Sequence, residues 1–449
     1  MKLSFLLLFL FILASTISCR TKEEWKSRSI YQIITDRFAR TSDTGPCQIT
    51  KYCGGNYRGI INKLDYIKGM GFDAIWISPI LENIAGSYHG YHITNFNKLN
   101  PYFGTEEDLI DLISACHEKD IWVMTDVIIN NVGPVGMDYR RINPFNSSDY
   151  YHDKCDISDW NNQWIVENCR VVDLPDLKQE NKFVSDTLCN IYKNLIQKYN
   201  IDGIRIATSN LVPKSFLDIF RNYPGVFQTG EVFDGDAKYV ADYENHLDSV
   251  TNYPLMFSIR NGFDSHLLNL EDYWLNSRKE FQHPEYATIF IENHDVDRFL
   301  HLNVNINLYI NAVVFIFLWE GIPIFYYGGE QYFVGGADPY NREPLWDHYD
   351  TSTELYQMLG KINEFRKKHK IWDLEIEQRL ADKNFYAFTR GNILACFTNT
   401  KSIERNIIHH GFNVGDKLCN FFDSSDCVTV SEDGINISMK EYPKVYVKQ

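Results

Sequence analysis

The sequence predicts a (β/α)8 barrel, interrupted after its third strand and followed by a small antiparallel β domain. Three observations carry that prediction. Short apolar runs alternate eight times with amphipathic helical segments across residues 19–371. The runs are apolar on both faces, as strands of a parallel sheet covered by helices must be. A chain of 449 residues has the length for a barrel, and it lacks the Gly-rich phosphate turn that an open doubly wound sheet would want.

The elements follow in order. Residues 29–35 (Ser-Ile-Tyr-Gln-Ile-Ile-Thr) read as the first buried strand, ending at Asp36-Arg37-Phe38. A helix is expected over 57–69, with Ile60, Ile61, Leu64 and Ile67 at helical spacing and Gly71 as its stop. Residues 73–79 form the second strand. Thr105, with Asp108 three residues on, caps a helix over 105–119 that turns Leu109, Leu112, Ile113 and Cys116 inward. Residues 121–129 form the third strand. The stretch 131–177 is rich in Asn, Asp and Tyr, has little periodicity, and reads as an inserted domain. The alternation resumes with helix 186–199, strand 201–207, helix 214–222 and strand 226–233. A weaker strand signal lies at 249–253, and strong ones at 287–292 and 322–327, the last preceded by an apolar helix at 308–319. Beyond residue 372 the pattern shortens to alternating strands at 384–389, 393–398 and 444–447, so 372–449 is expected to be a separate β domain.

Composition narrows the partners. Hydrophobic residues make up 44% and aromatic residues 15%, enough for a large core. The net charge of −15 is the wrong sign for binding a phosphate backbone, which excludes nucleic acid. Residues 1–18 carry Lys2, an apolar run and then small residues, the pattern of a secretory signal peptide, with Cys19 beside the cleavage site. No later run is apolar enough to span a bilayer, so a secreted or secretory-pathway protein is expected. Among 10 cysteines, the local pairs Cys47–Cys53, Cys155–Cys169 and Cys419–Cys427 are disulfide candidates for an oxidising compartment. Cys116, Cys189 and Cys396 lie in periodic apolar segments and read as buried thiols, and no Cys-x-x-Cys pair offers a zinc site. Asn146 and Asn436 begin glycosylation sequons.

In a barrel of this kind the chemistry lies at the C-terminal ends of the strands. Those ends carry His89, then Asp126 with Asn130 and Asn131, then Arg205, Glu231 and the pair His294-Asp295. A buried arginine such as Arg205 needs carboxylates or a ligand, because an unpaired buried charge is prohibitive. Two readings are open at this point. One is an active-site mouth, and the other a structural ion-pair cluster.

Longer motifs narrow this. They are 30–40 (Ile-Tyr-Gln-Ile-Ile-Thr-Asp-Arg-Phe-Ala-Arg), 52–55 (Tyr-Cys-Gly-Gly), 63–66 (Lys-Leu-Asp-Tyr), 69–79 (Gly-Met-Gly-Phe-Asp-Ala-Ile-Trp-Ile-Ser-Pro) and 88–91 (Tyr-His-Gly-Tyr). Further along stand 126–130 (Asp-Val-Ile-Ile-Asn), 174–177 (Leu-Pro-Asp-Leu), 202–206 (Asp-Gly-Ile-Arg-Ile), 230–235 (Gly-Glu-Val-Phe-Asp-Gly), 292–295 (Glu-Asn-His-Asp) and 341–343 (Asn-Arg-Glu). Together, over 25–346, they resemble secreted fungal-type α-amylases of glycoside hydrolase family 13.

The resemblance implies a retaining endo-glycosidase scaffold for α-1,4-glucan (starch, glycogen, a maltooligosaccharide or cell-wall α-glucan), expected to act as a monomer. In that chemistry one carboxylate attacks the anomeric carbon while a second, about 5 Å away, protonates the leaving oxygen. By motif, Glu231 takes the proton-donor position and Asp295 that of transition-state stabiliser. His89, Tyr91, His92, Asn131, Arg205, Gly235, His294, Asp338 and Arg342 take sugar-binding positions. The nucleophile position falls on Ala207, whose methyl cannot attack carbon. Asn131 stands where the family usually has His, and Asn210-Leu211 where it has Lys-His. The resemblance also implies Ca2+ on oxygen ligands, held by Asn130, Glu167, Asp176 and the carbonyl of Leu211. Three readings follow: an impaired homologue that binds glucan, a weakly active α-amylase or transglycosylase, and a non-catalytic secreted glucan-binding or cell-wall or spore-wall protein.

Overall fold

The computed structural model describes residues 20–43 and 45–449, so the signal peptide expected over 1–18 lies outside the described residues. The strands are β1 (Ile30–Gln32), β2 (Ala74–Ile77), β3 (Trp122–Val127), β4 (Gly203–Ile206), β5 (Phe227–Gly230), β6 (Ser249–Val250), β7 (Thr288–Ile289) and β8 (Ile322–Tyr326). They pair in parallel in the order β6-β5-β4-β3-β2-β1-β8-β7. A parallel bridge between Thr251 and Thr288, with Asn252 N donating to Thr288 O at 2.9 Å, closes the ring. The expected (β/α)8 barrel is thus the observed fold.

Two apolar layers hold it. Helices α1 (Glu106–Glu118), α2 (Lys182–Tyr199), α3 (Tyr253–Asp264), α4 (Ile306–Leu318) and α5 (Glu354–His369) are among those that wrap the outside. Their buried faces join the outward residues of the strands in one large cluster. A second cluster fills the barrel itself and includes Ile30, Ala74, Trp76, Trp122, Met124, Phe227, Ile322 and Ile324. Its floor is Trp25, whose ring lies 5.2 Å from both Trp122 and Phe227 and whose Nε1 donates to Asp202 O at 3.3 Å. Gly203 is what lets this ring sit on β4, since a Cβ there would come within 2.7 Å of Trp25.

Several elements differ from expectation. The single helix expected over 57–69 is two, Tyr57–Ile61 and Leu64–Gly69. Lys63 leaves helical φ/ψ at −118°, 10°, and its ammonium sits 3.9 Å from the Tyr349 ring. Helix α2 starts four residues before the expected 186, because Asn181 caps it by accepting from Phe183 N. A hairpin, Leu81–Asn83 with Ile93–Leu99, was not anticipated. The C-terminal part holds eight strands where three were expected, in a six-stranded antiparallel sheet and a separate pair, Ser402–Ile407 with Ile435–Lys440. This sheet packs on α4 and the residue after it: Phe397 lies 5.3 Å from Phe315, and Phe388 5.2 Å from Trp319. Disulfides join Cys47 to Cys53, Cys155 to Cys169 and Cys419 to Cys427, while Cys116, Cys189 and Cys396 are free and buried. Asn146 and Asn436 are exposed. No helix among the described residues is long and apolar enough to cross a membrane.

Candidate active site

Side chains alternate along a strand, so Gly203, Arg205 and Ala207 share the inward face of β4 and its extension. Gly203 admits the floor tryptophan, and Arg205 then rises toward the mouth. Its cross-strand neighbour in the register is Asp126 on β3. Arg205 Nη1 lies 3.0 Å from both Asp126 oxygens, while Nη2 lies 2.5 Å from Glu231 Oε1 and 4.0 Å from Asp295 Oδ2. The guanidinium also sits 5.1 Å from the Trp76 ring. The charged groups named from the ends of separate strands therefore meet on one buried arginine.

Each acid is held differently. Asp126 is fully enclosed. Burial pushes its carboxyl up to about 6, against the pull of Arg205 and of the Tyr91 hydroxyl, which donates to it at 2.6 Å. Glu231 extends β5 and is fixed by three donors. These are Arg205, the backbone N–H of Thr208 at 2.8 Å, and the Tyr253 hydroxyl at 3.1 Å. Thr208 can aim its N–H this way because it takes left-handed backbone angles, φ 49° and ψ 44°. Asp295 is the open member, with its side chain 36% exposed between His294 Nε2 at 3.1 Å and Arg342 Nη2 at 3.5 Å.

His294 is sandwiched. Its ring stacks on Tyr91 at 5.1 Å and 11°, and Gln32 Nε2 contacts its Nδ1 at 2.7 Å. With that amide donating, the ring proton sits on Nε2 and points at Asp295. Burial, helped by the charges of Arg342 and Arg205, holds His294 well below its ordinary value, so the ring is a neutral donor. His89 stacks on Tyr91 from the hairpin loop and is likewise held low, first by burial and then by His92. Ser87 Oγ links His89 Nε2 at 3.1 Å to His92 Nδ1 at 2.9 Å. Arg342 anchors the far wall by donating to His294 O from Nε and Nη2, and it pairs with Asp338 at 3.0 Å.

Ala207 follows Arg205 by two residues, just beyond the end of β4. It is 4% exposed, its N–H donates to Val127 O at 3.0 Å, and its methyl supplies no polar atom. Gly235 is exposed, and a Cβ there would meet the Phe257 ring at 3.7 Å. Asn131 is buried, bridges backbone to backbone with Asp176, and donates from its side-chain Nδ2 to Val132 O at 3.4 Å. The sequence reading missed Tyr253, Gln32, Trp76 and the Thr208 amide. Only Tyr253 had a usable signal, an aromatic just after a strand and before Pro254.

A second polar corner joins the end of β3 to the insertion. The Asn130 side-chain amide lies 3.2 Å from Asp176 Oδ1 and 2.8 Å from Leu211 O. Gln163 Nε2 donates both to Glu167 Oε1 at 2.8 Å and to Asn210 O at 3.1 Å, which brings Glu167 to the same corner. His152 Nδ1 holds the other Asp176 oxygen at 2.7 Å. An amide, a carbonyl and carboxylates are the hard oxygen donors that calcium takes, so these residues fit that ion. The donor set is mixed, as no three His, Cys, Asp or Glu side chains among the described residues gather in metal-holding geometry.

Comparison with known proteins identifies the family of the chain. The family described as alpha amylase, catalytic domain, matches residues 32–226 and 216–375. The chain is 36% identical over 459 residues to Alpha-amylase 1 of Schwanniomyces occidentalis, an alignment covering 94% of this chain and 90% of that one. It is 40% identical over 392 residues to Alpha-amylase 2 of Schizosaccharomyces pombe, covering 82% and 67%. An α-amylase structure from Malbranchea cinnamomea superposes with a TM-score of 0.91 at 36% identity, covering 95% of this chain and 97% of that one. The acarbose complex of the Geobacillus thermoleovorans α-amylase does so with 0.87 at 32%, covering 95% and 99%.

Proposed function

The chain belongs to the α-amylase family, and from that premise we propose that it binds α-1,4-linked glucan in the cleft around Arg205 without hydrolysing it at an amylase's rate. The observation that carries this reading is Ala207. The residue two places beyond Arg205 on the inward face is a methyl, flanked by a guanidinium that engages Glu231 directly. Retaining hydrolysis needs a carboxylate there to form the glycosyl-enzyme, and alanine has no atom that can.

The remaining parts support sugar binding. Glu231 occupies the proton-donor position, and Asp295, open to solvent and faced by the neutral N–H of His294, occupies the stabiliser position. Tyr91 and His89 present stacked rings from the hairpin, and Arg342 with Asp338 closes the other side. Calcium, held by Asn130, Asp176, Glu167 and the Leu211 carbonyl, would tie the insertion to the end of β3 by neutralising buried oxygen. Secretion fits three disulfides, two exposed sequons and the apolar N-terminal run.

The test is hydrolysis of soluble starch and maltooligosaccharides by the native protein beside A207D, with calorimetric titration of maltooligosaccharides into both. Native turnover is expected at least about a thousandfold below the 1–1000 per second common for enzymes, with measurable glucan binding retained. Native turnover inside that range would overturn the proposal. Absence of affinity for any α-glucan would remove its binding half.

A further inference from the structure

At the floor end of the barrel, away from the cleft, two arginines are buried without a counter-charge. Arg366, in the last turn of α5, is 1% exposed. It donates from Nη1 to Phe317 O at 3.3 Å and from Nη2 to Lys26 O at 2.9 Å and Gly321 O at 3.2 Å. Arg390, at the end of the strand Phe385–Arg390, is 3% exposed and donates from Nη2 to Ile371 O. Both border one turn, since the Trp372 ring lies 5.6 Å from the Arg366 guanidinium carbon. Among the described residues three of their nitrogens, carrying four N–H groups, have no acceptor: Nε of Arg366, and Nε and Nη1 of Arg390.

The acids whose charge reaches these groups are already engaged. Glu320 is gripped by Arg278 at 2.8 and 3.0 Å, and Asp73 pairs with Lys367 at 3.0 Å. Burial and the charge of Arg390 push Arg366 down to about 9, and burial pushes Arg390 down to about 10. A buried guanidinium left short of both charge and acceptors is strongly unfavourable. Water could accept from these N–H groups but brings no charge. A bulky polyatomic anion needs an open mouth, which residues so enclosed do not offer.

We propose that Arg366 and Arg390 form a binding site for one compact monovalent anion of the halide class, held by the N–H groups of those three nitrogens where the C-terminal sheet meets the barrel floor. The ion would join two parts of the fold and would act on stability.

The test is thermal unfolding of the full-length protein in sodium chloride, bromide or gluconate at one fixed ionic strength. Melting temperature is expected to rise with chloride and bromide and then saturate, with gluconate at least tenfold less effective by concentration. In R390M, which keeps the apolar stem and removes the charge, the halide-specific rise should vanish. Superimposable curves for the three salts would overturn the proposal, as would an undiminished halide effect in R390M. Should R390M fail to fold, bromide-soaked crystals of the native protein decide. An anomalous peak within hydrogen-bond distance of Arg366 Nε and Arg390 Nη1 supports the site, and a buried water without anomalous signal refutes it.

Discussion

Replacing Arg205 with methionine tests whether the cleft is organised around one cation. The substitution keeps most of the side-chain volume and removes the group on which Asp126, Glu231 and Asp295 converge at 3.0, 2.5 and 4.0 Å. Asp126 has no route to solvent, so breaking its buried pair should cost about 3–5 kcal/mol of folding stability. The cost should also depend on pH. Burial already pushes the Asp126 carboxyl up to about 6, and losing Arg205 removes the main opposing influence. A folded-state value raised above the unfolded one means that the folded state holds the extra proton. Stability is therefore kept below the unfolded value near 4 and lost as pH rises through the folded value. R205M should be less damaging at pH 5 than at pH 8, and adding D126N should recover part of the loss at pH 8. Urea unfolding of the four proteins of that cycle gives the coupling, expected at roughly 2 kcal/mol or more. A cost below about 1 kcal/mol at pH 8, or one that does not change with pH, would refute the reasoning.

Other outcomes follow from the same geometry. Y253F should remove one of the three donors to Glu231, costing about 1 kcal/mol in urea unfolding and leaving the fold intact by circular dichroism. A calcium chelator should lower the melting temperature and N130A should abolish that sensitivity, whereas equal melting with and without chelator would refute the ligand assignment. W25A should cost about 3–5 kcal/mol, measured the same way, because it empties the floor of the barrel.

Much of this molecule was legible in its sequence, for physical reasons that also mark where reading stopped. Strands buried on both faces write themselves as apolar runs, which is why 73–79 and 121–129 contain β2 and β3. The hairpin that carries His89 and Tyr91 left no such trace. Its register slips at Leu81, Glu82 and Asn83, which breaks the alternation a period-two search depends on. The strand Ile376–Ala381 was missed because most of it is only partly buried and polar. In the cleft, charged residues announced themselves because burying them demands partners. Tyr253, Gln32 and the Thr208 amide act through geometry that composition does not record.

The Trp25 floor has a bearing on how the chain assembles. Its hydrogen bond to Asp202 spans 177 residues, and its rings partner Trp122 and Phe227, so no local segment can complete the base of the barrel. During synthesis the short helix Lys22–Trp25 emerges long before β4 and β5 exist to receive it. Until then the indole is an unsatisfied apolar surface, which favours chaperone capture over early compaction. The step that seats Trp25 against Gly203 is thus a late commitment, linking the first helix of the described chain to the strand that carries Arg205 and leads to Ala207.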